Sequence, residues 1–170
     1  MKITTNEYED TITVNMHAAE KMLSLLPEGT RKRYSRPGIP TDTIAELIGA
    51  YALGTLASNG EGYDLTCGTE VKYSTIVRNK CNTGFNTYAN IGNLKSKTGD
   101  LLIVVGDPRG NKEDIDLLFF FIPFRVWKEK IKGDKLSMSF GSNRWKWYMD
   151  YLYSWKDLKS GKRGLENFCG

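Results

Sequence analysis

The sequence is short of the residues on which most covalent and zinc-dependent chemistry relies. It holds one histidine, His17, and three cysteines, Cys67, Cys81 and Cys169. With a single imidazole, Ser-His or Cys-His catalysis has only His17 to act as base. The cysteines are odd in number, and neither Cys-x-x-Cys spacing nor a neighbouring histidine accompanies them. Neither a disulfide framework nor a zinc site is indicated, and a reducing cytoplasm is the expected compartment. Long apolar runs are missing too. The longest, Leu117 to Phe124, falls far short of the ~20 residues that span a bilayer, and Met1 to Glu7 contains no apolar signal core. No low-complexity tract interrupts the chain. Its 170 residues are 40% hydrophobic and 26% charged, which predicts one folded domain over 1–170.

What is present is a modest positive charge, unevenly spread. The net charge is +4, yet residues 125–163 hold eleven Lys or Arg against four Asp or Glu. An anionic partner fits such a distribution.

The chemistry concentrates between Gly60 and Val77. Tyr63-Asp64-Leu65 and Thr69 to Val77 have strand character and flank Thr66-Cys67-Gly68, which reads as a three-residue hairpin loop with glycine at its left-handed position. Counting outward pairs Leu65 with Thr69 and Asp64 with Glu70. Opposed residues share a face, and Lys72 lies two beyond Glu70, so Asp64, Glu70 and Lys72 should converge. Two carboxylates this close repel unless a cation lies between them, and an oxygen-only donor set favours a hard divalent ion such as Mg²⁺. Lys72 beside that ion could hold a water in line with a phosphate, or accept its proton. A solvated hairpin with charges paired across its strands is the plainer alternative. An acid-x-Lys triplet is cheap by composition, and Asp150, Asp157 and Lys159 repeat the pattern near the C-terminus without an intervening glycine turn.

Asp-x5-Glu-x-Lys on a hairpin resembles the core motif of the PD-(D/E)XK nucleases, the superfamily of most type II restriction endonucleases, with Tyr63 where proline is usual. The resemblance covers roughly residues 40–125. It implies an α/β restriction-endonuclease-like fold, a mixed central sheet flanked by helices. It further implies Mg²⁺ held by Asp64, Glu70 and the Val71 carbonyl, with Lys72 at the water. Glu46 matches by position the acid that a preceding helix often adds. Glu46 has its own local reading, because Thr43-Ile44-Ala45-Glu46 has the form of a capping box with Thr43 as N-cap.

Around that core, helical spacing predicts a first helix over about 12–26 and an amphipathic one over Thr43–Ser58 carrying Ile44, Leu47, Ile48, Tyr51, Ala52 and Leu56. Leu101 to Val105 and Leu117 to Ile122 read as central strands buried on both faces, and a helix is expected after Pro123. Arg31, Arg33 and Arg36 form either a phosphate-gripping loop or a solvated one. Arg78, Asn79, Lys80, Asn82, Asn86, Asn90, Asn93, Lys95 and Lys97 lie in an Asn-rich, basic stretch suited to contacting duplex DNA. A polar surface connection, with a short helix over 90–97 that packs Ile91 and Leu94 inward, serves equally well. The aromatic, basic part at 125–163 reads as core, as a dimer contact or as a nucleic-acid surface. The combined expectation is a cytoplasmic, homodimeric, Mg²⁺-dependent endonuclease of the type II restriction class acting on double-stranded DNA. The alternatives are a homing or structure-specific nuclease of the same superfamily and a non-catalytic nucleic-acid-binding protein.

Overall fold

The computed structural model describes residues 3–5, 12–15, 40–58, 63–81, 84–107, 114–140 and 146–161. In chain order these form β1 (Ile3–Thr5), β2 (Ile12–Asn15), α1 (Pro40–Leu53), β3 (Thr69–Thr75), β4 (Val77–Cys81), β5 (Gly84–Ile91), β6 (Asp100–Asp107), β7 (Asp114–Ile122), α2 (Phe124–Lys130), β8 (Leu136–Ser139), a 3-10 helix (Trp147–Tyr151), β9 (Leu152–Tyr153) and α3 (Trp155–Ser160). The larger sheet runs β1-β2-β7-β6-β3, with β9 also on β7, and the smaller runs β4-β5-β8. Strand β3 pairs β6 in parallel and the other pairings are antiparallel, so the larger sheet is mixed. The chain is a mixed α/β fold whose central sheet is flanked by helices.

The two uninterrupted apolar runs become β6 and β7 at the middle of the sheet, as their composition predicts. Alternate residues serve opposite faces. Leu102, Val104, Leu117, Phe119 and Phe121 pack under α1 and α3 with Ile44, Ile48, Trp155 and Leu158. Leu101, Ile103, Val105, Phe120 and Ile122 pack on the other side against Ala89, Ile91 and Met138 of the smaller sheet and against Trp127 and Tyr148. Neither face has a polar gap, which explains why no alternation shows in the sequence. Truncating Phe119, which is fully buried, to alanine should cost about 3–5 kcal/mol.

Several local expectations change. Residues 12–15 form β2 along β7 and not the start of a helix. Ile12 and Val14 alternate with Thr13 and Asn15 at strand period, and pairing with β7 supplies the hydrogen bonds a marginal helix would lack. The remainder of the expected helix lies outside the described residues. Helix α1 begins at Pro40, where a fixed φ and a missing N–H suit the first turn. Thr43 therefore sits inside the helix, where it is not an N-cap. The buried stripe of α1 is Ile44, Ala45, Ile48 and Ala52, whereas Leu47, Tyr51 and Leu56 are exposed. The alanines bring the helix close to the sheet, and Tyr51 instead stacks on Trp155 at 6.0 Å.

The single strand expected through Val77 breaks at Ile76. Its N–H still donates to Gly106 O at 2.9 Å, but its buried side chain belongs to the core shared with the smaller sheet. The chain leaves the larger sheet there, runs out and back as the β4-β5 ribbon, and re-enters as β6. That ribbon is thus the crossover that a parallel β3-β6 pair requires. Ile91 and Leu94 are buried as expected, but Ile91 ends β5 and Leu94 lies in the loop that follows, with no helix there.

Candidate active site

Leu65 N–H donates to Thr69 O at 3.0 Å and Gly68 N–H to Leu65 O at 3.0 Å, closing a tight turn. Gly68 has φ 82, a conformation side chains resist. The expected hairpin goes no further than that pair. Residues 56–58 line up with 64–66 instead, through Ser58 N–H to Asp64 O (2.8 Å) and Thr66 N–H to Leu56 O (2.9 Å). What meets β3 next is the Asp64 side chain. Its Oδ2 accepts the Val71 N–H at 2.8 Å, where a neighbouring strand would present a carbonyl.

The three expected residues do come together. Lys72 Nζ lies 3.4 Å from Asp64 Oδ2 and 3.7 Å from Glu70 Oε2. Glu70 pairs in register with Leu101 and Lys72 with Ile103, so both point to the face covered by the smaller sheet and α2. Val71 points to the α1 face. Glu46 rides on α1, on the far side from Glu70 and Lys72, and is half-buried. Among the described residues no three His, Cys, Asp or Glu side chains group closely enough to hold one ion.

Glu70 is 1% exposed. Burial pushes its carboxyl above the ordinary glutamate range and the Asp64 charge adds to that, while Lys97 and Lys72 pull it back. The Lys97 ammonium is 2.8 Å from Glu70 Oε2, close enough for an ion pair. That pairing works against the effect of burial on the Glu70 carboxyl. A carboxylate oxygen with spare lone-pair capacity, a second carboxylate sharing the same lysine, and a strand carbonyl at Val71 facing the same free edge as its N–H form an oxygen donor set suited to a hard divalent ion. The residues present fit such an ion.

Lys97 is the member of this cluster that the sequence placed elsewhere, among residues for DNA contact. Nothing in the motif points to it, because it arrives 27 positions after Glu70 on a separate loop. That loop is tied to the turn through Tyr63, whose hydroxyl is 3.3 Å from Thr98 Oγ1 and whose ring covers Gly99. A Cβ on Gly99 would collide with the Gly68 carbonyl and the Tyr63 ring. Tyr63 in the place of the usual proline therefore binds the aspartate turn to the lysine loop.

Of the other expected contacts, Asn90, Asn93 and Lys95 are exposed. Asn90 accepts from Ser137 Oγ at 2.7 Å across the smaller sheet. Arg78, Asn79, Lys80 and Asn86 belong to the β4-β5 ribbon, where Asn79 pairs with Asn86 in register; their side chains lie outside the described residues. Arg31, Arg33, Arg36 and Asn82 lie outside them entirely. Tyr148 and Trp155 are buried, and they serve as packing groups. No helix among the described residues is long and apolar enough to cross a membrane.

No family model matches the chain, and no curated protein does. Among solved structures it is similar to a bacterial homing endonuclease, I-Ssp6803I, at 17% identity over 77% of this chain and 96% of that one, with a TM-score of 0.42. At that distance the likeness decides neither family nor function.

Proposed function

We propose that the chain is a Mg²⁺-dependent endodeoxyribonuclease with a restriction-endonuclease-like fold, hydrolysing phosphodiester bonds of a specific duplex site in the manner of a type II restriction enzyme. The observation that carries this reading is the meeting of Asp64, Glu70 and Lys72 at the free edge of β3, with the Glu70 carboxylate buried. Asp64 and Glu70, with the Val71 carbonyl, would hold the ion. When bound, a divalent ion supplies charge for the phosphate oxygens and lowers the pKa of a coordinated water. Lys72 orients the attacking water, or takes its proton, from a position fixed by Asp64 on one side and Glu70 on the other. Asp64 is held in turn by the Val71 amide, so the carboxylate keeps its aim without the ion. The β4-β5 ribbon and the exposed Asn90, Asn93 and Lys95 are the surfaces suited to duplex DNA. A homodimer would present two such sites to both strands of a palindrome.

The test is incubation of the protein with a long duplex, with Mg²⁺ or with chelator, beside the Asp64→Ala variant. Discrete fragments that need the metal and vanish in the variant are expected. Full cutting by Asp64→Ala refutes the site assignment, and binding without cleavage on many DNA and RNA substrates refutes the enzyme. Mapping the cut positions separates a restriction enzyme from a homing or structure-specific nuclease.

A further inference from the structure

Lys97 reaches Glu70 from a loop held in place by contacts remote from the motif. Lys128 Nζ on α2 donates to Lys95 O at 2.8 Å and to Lys97 O at 3.1 Å, and Trp127 Nε1 donates to Gly99 O at 3.1 Å. On the other flank Lys95 N–H donates to Asp134 Oδ1 at 2.7 Å and Leu94 N–H to Asp134 O at 3.2 Å. With Tyr63 against Thr98 and Gly99, the segment 94–99 is anchored from three sides. Such bracing limits the ordering cost of placing a long side chain at one point.

The point it reaches is telling. The Lys97 ammonium is nearer to Glu70 Oε2, at 2.8 Å, than the motif lysine Lys72 is, at 3.7 Å. Two lysines and two carboxylates then balance to zero charge, and Lys97 stands against the oxygen best able to accept a metal. An arriving divalent ion meets a like charge there, and like charges this close oppose each other. An entering divalent ion would replace the Lys97–Glu70 pair with a larger charge at the same oxygen. At 26% side-chain exposure, Lys97 has solvent to turn into.

We propose that Lys97 is a displaceable counter-cation: it neutralises Glu70 while the site lacks a divalent ion, yields that oxygen when the ion enters, and thereafter turns towards the phosphate backbone. The exchange rests on the metal-binding reading of Asp64 and Glu70. It keeps a buried carboxylate compensated at every stage, first by an ammonium and then by the ion, and it delivers a positive charge towards the substrate only when the site is loaded.

The experiment is titration of Mn²⁺ into DNA-free protein, followed by calorimetry and by the shift in melting temperature, for the wild type, Lys97→Met, Lys97→Arg and Lys128→Ala. Lys97→Met should bind Mn²⁺ about tenfold more tightly, the scale of one partly screened like charge removed. Its metal-free form should melt lower than the wild type. Lys97→Arg should return affinity towards the wild-type value, and Lys128→Ala, which loosens the loop without removing the charge at Glu70, should fall between. Equal or weaker Mn²⁺ binding by Lys97→Met overturns the exchange, as does a Lys128→Ala protein that binds no better than wild type should Lys97→Met fail to fold. Asp64→Asn separates the two levels of failure. If Mn²⁺ binds and Asp64→Asn abolishes it while Lys97→Met changes nothing, the metal site stands and the exchange falls. If no protein binds Mn²⁺, both fall.

Discussion

The chain contains two versions of one pattern, and they behave differently. Asp64, Glu70 and Lys72 converge on a common point, with Lys72 within 3.7 Å of both acids. Asp150, Asp157 and Lys159 do not. Asp150 is exposed on the 3-10 helix, while Asp157 completes the start of α3, its N–H donating to Ser154 Oγ at 3.0 Å and its carboxylate accepting that hydroxyl at 2.9 Å. Lys159 lies over the Tyr51 ring at 5.6 Å. The reason is periodicity. On a strand, residues two apart share a face, so acid-x-Lys brings opposite charges together. On a helix they point well apart, and the same letters divide into a cap and a cation–π contact. What makes the first version a candidate for chemistry is a glycine turn followed by a strand.

Removing charges from each cluster in turn gives the largest expected effect. Asp64→Ala or Lys72→Ala should reduce Mg²⁺-dependent duplex cleavage by about 10²–10⁴-fold, while Asp150→Asn and Asp157→Asn leave it unchanged in the same gel assay. Cleavage that depends on the second set and survives loss of the first would reverse the assignment. Next in size is the turn itself. Gly68→Ala places a side chain at φ 82, which should cost about 1–2 kcal/mol in denaturant melts. By shifting Asp64 it should also lower cleavage by about 10²-fold. The helical version responds to its cap instead, so Ser154→Ala should lower stability by about 1 kcal/mol with activity intact.

The smallest expected effect links charge to stability at the first site alone. Burial raises the Glu70 carboxyl above its ordinary value, so the folded state holds a proton at pH values where the unfolded chain has already lost it. The folded state therefore loses stability as pH rises from near the ordinary ~4.3 through the raised value. Glu70→Gln should remove that loss and melt higher than wild type at neutral pH without added metal, with the gap closing towards pH 4. Added Mn²⁺ should raise the wild-type melting temperature and not that of the variant. A Glu70→Gln protein less stable than wild type at pH 8 would show that the two lysines outweigh the burial.

The sequence carried a good deal of this structure, and the parts it hid share a cause. Leu101–Val105 and Leu117–Ile122 announced buried strands because both of their faces are covered, and Gly68 announced its turn because few other residues take that conformation. The convergence of Asp64 with Glu70 was expected from hairpin register; it arises from a side chain accepting the Val71 amide, which no spacing rule contains. Strand β2 read as helix because four residues carry little periodicity and their pairing partner lies about a hundred positions away on β7. Lys97 reads as a DNA contact and not as a partner of Glu70 for the same reason: their meeting is made by tertiary bracing from Lys128, Trp127, Asp134 and Tyr63, all at least 30 positions from Lys97 in sequence.

The crossover between β3 and β6 is made by a ribbon, and that ribbon is fastened to β3 where Ser74 Oγ donates to Asn90 O at 3.0 Å. From Asn90 to the paired end at Cys81 and Gly84, strand geometry gives a reach of ~20 Å, or about six base pairs of duplex. Because its stems lead from the strand that carries Lys72 and into the loop that carries Lys97, the ribbon would act, on the proposed nuclease reading, as a ruler with its zero mark at the Asp64–Glu70–Lys72 cluster. On that reading, a sequence contacted along the ribbon would be cut at a set offset, and lengthening the ribbon by two residues on each strand would move that offset along the DNA.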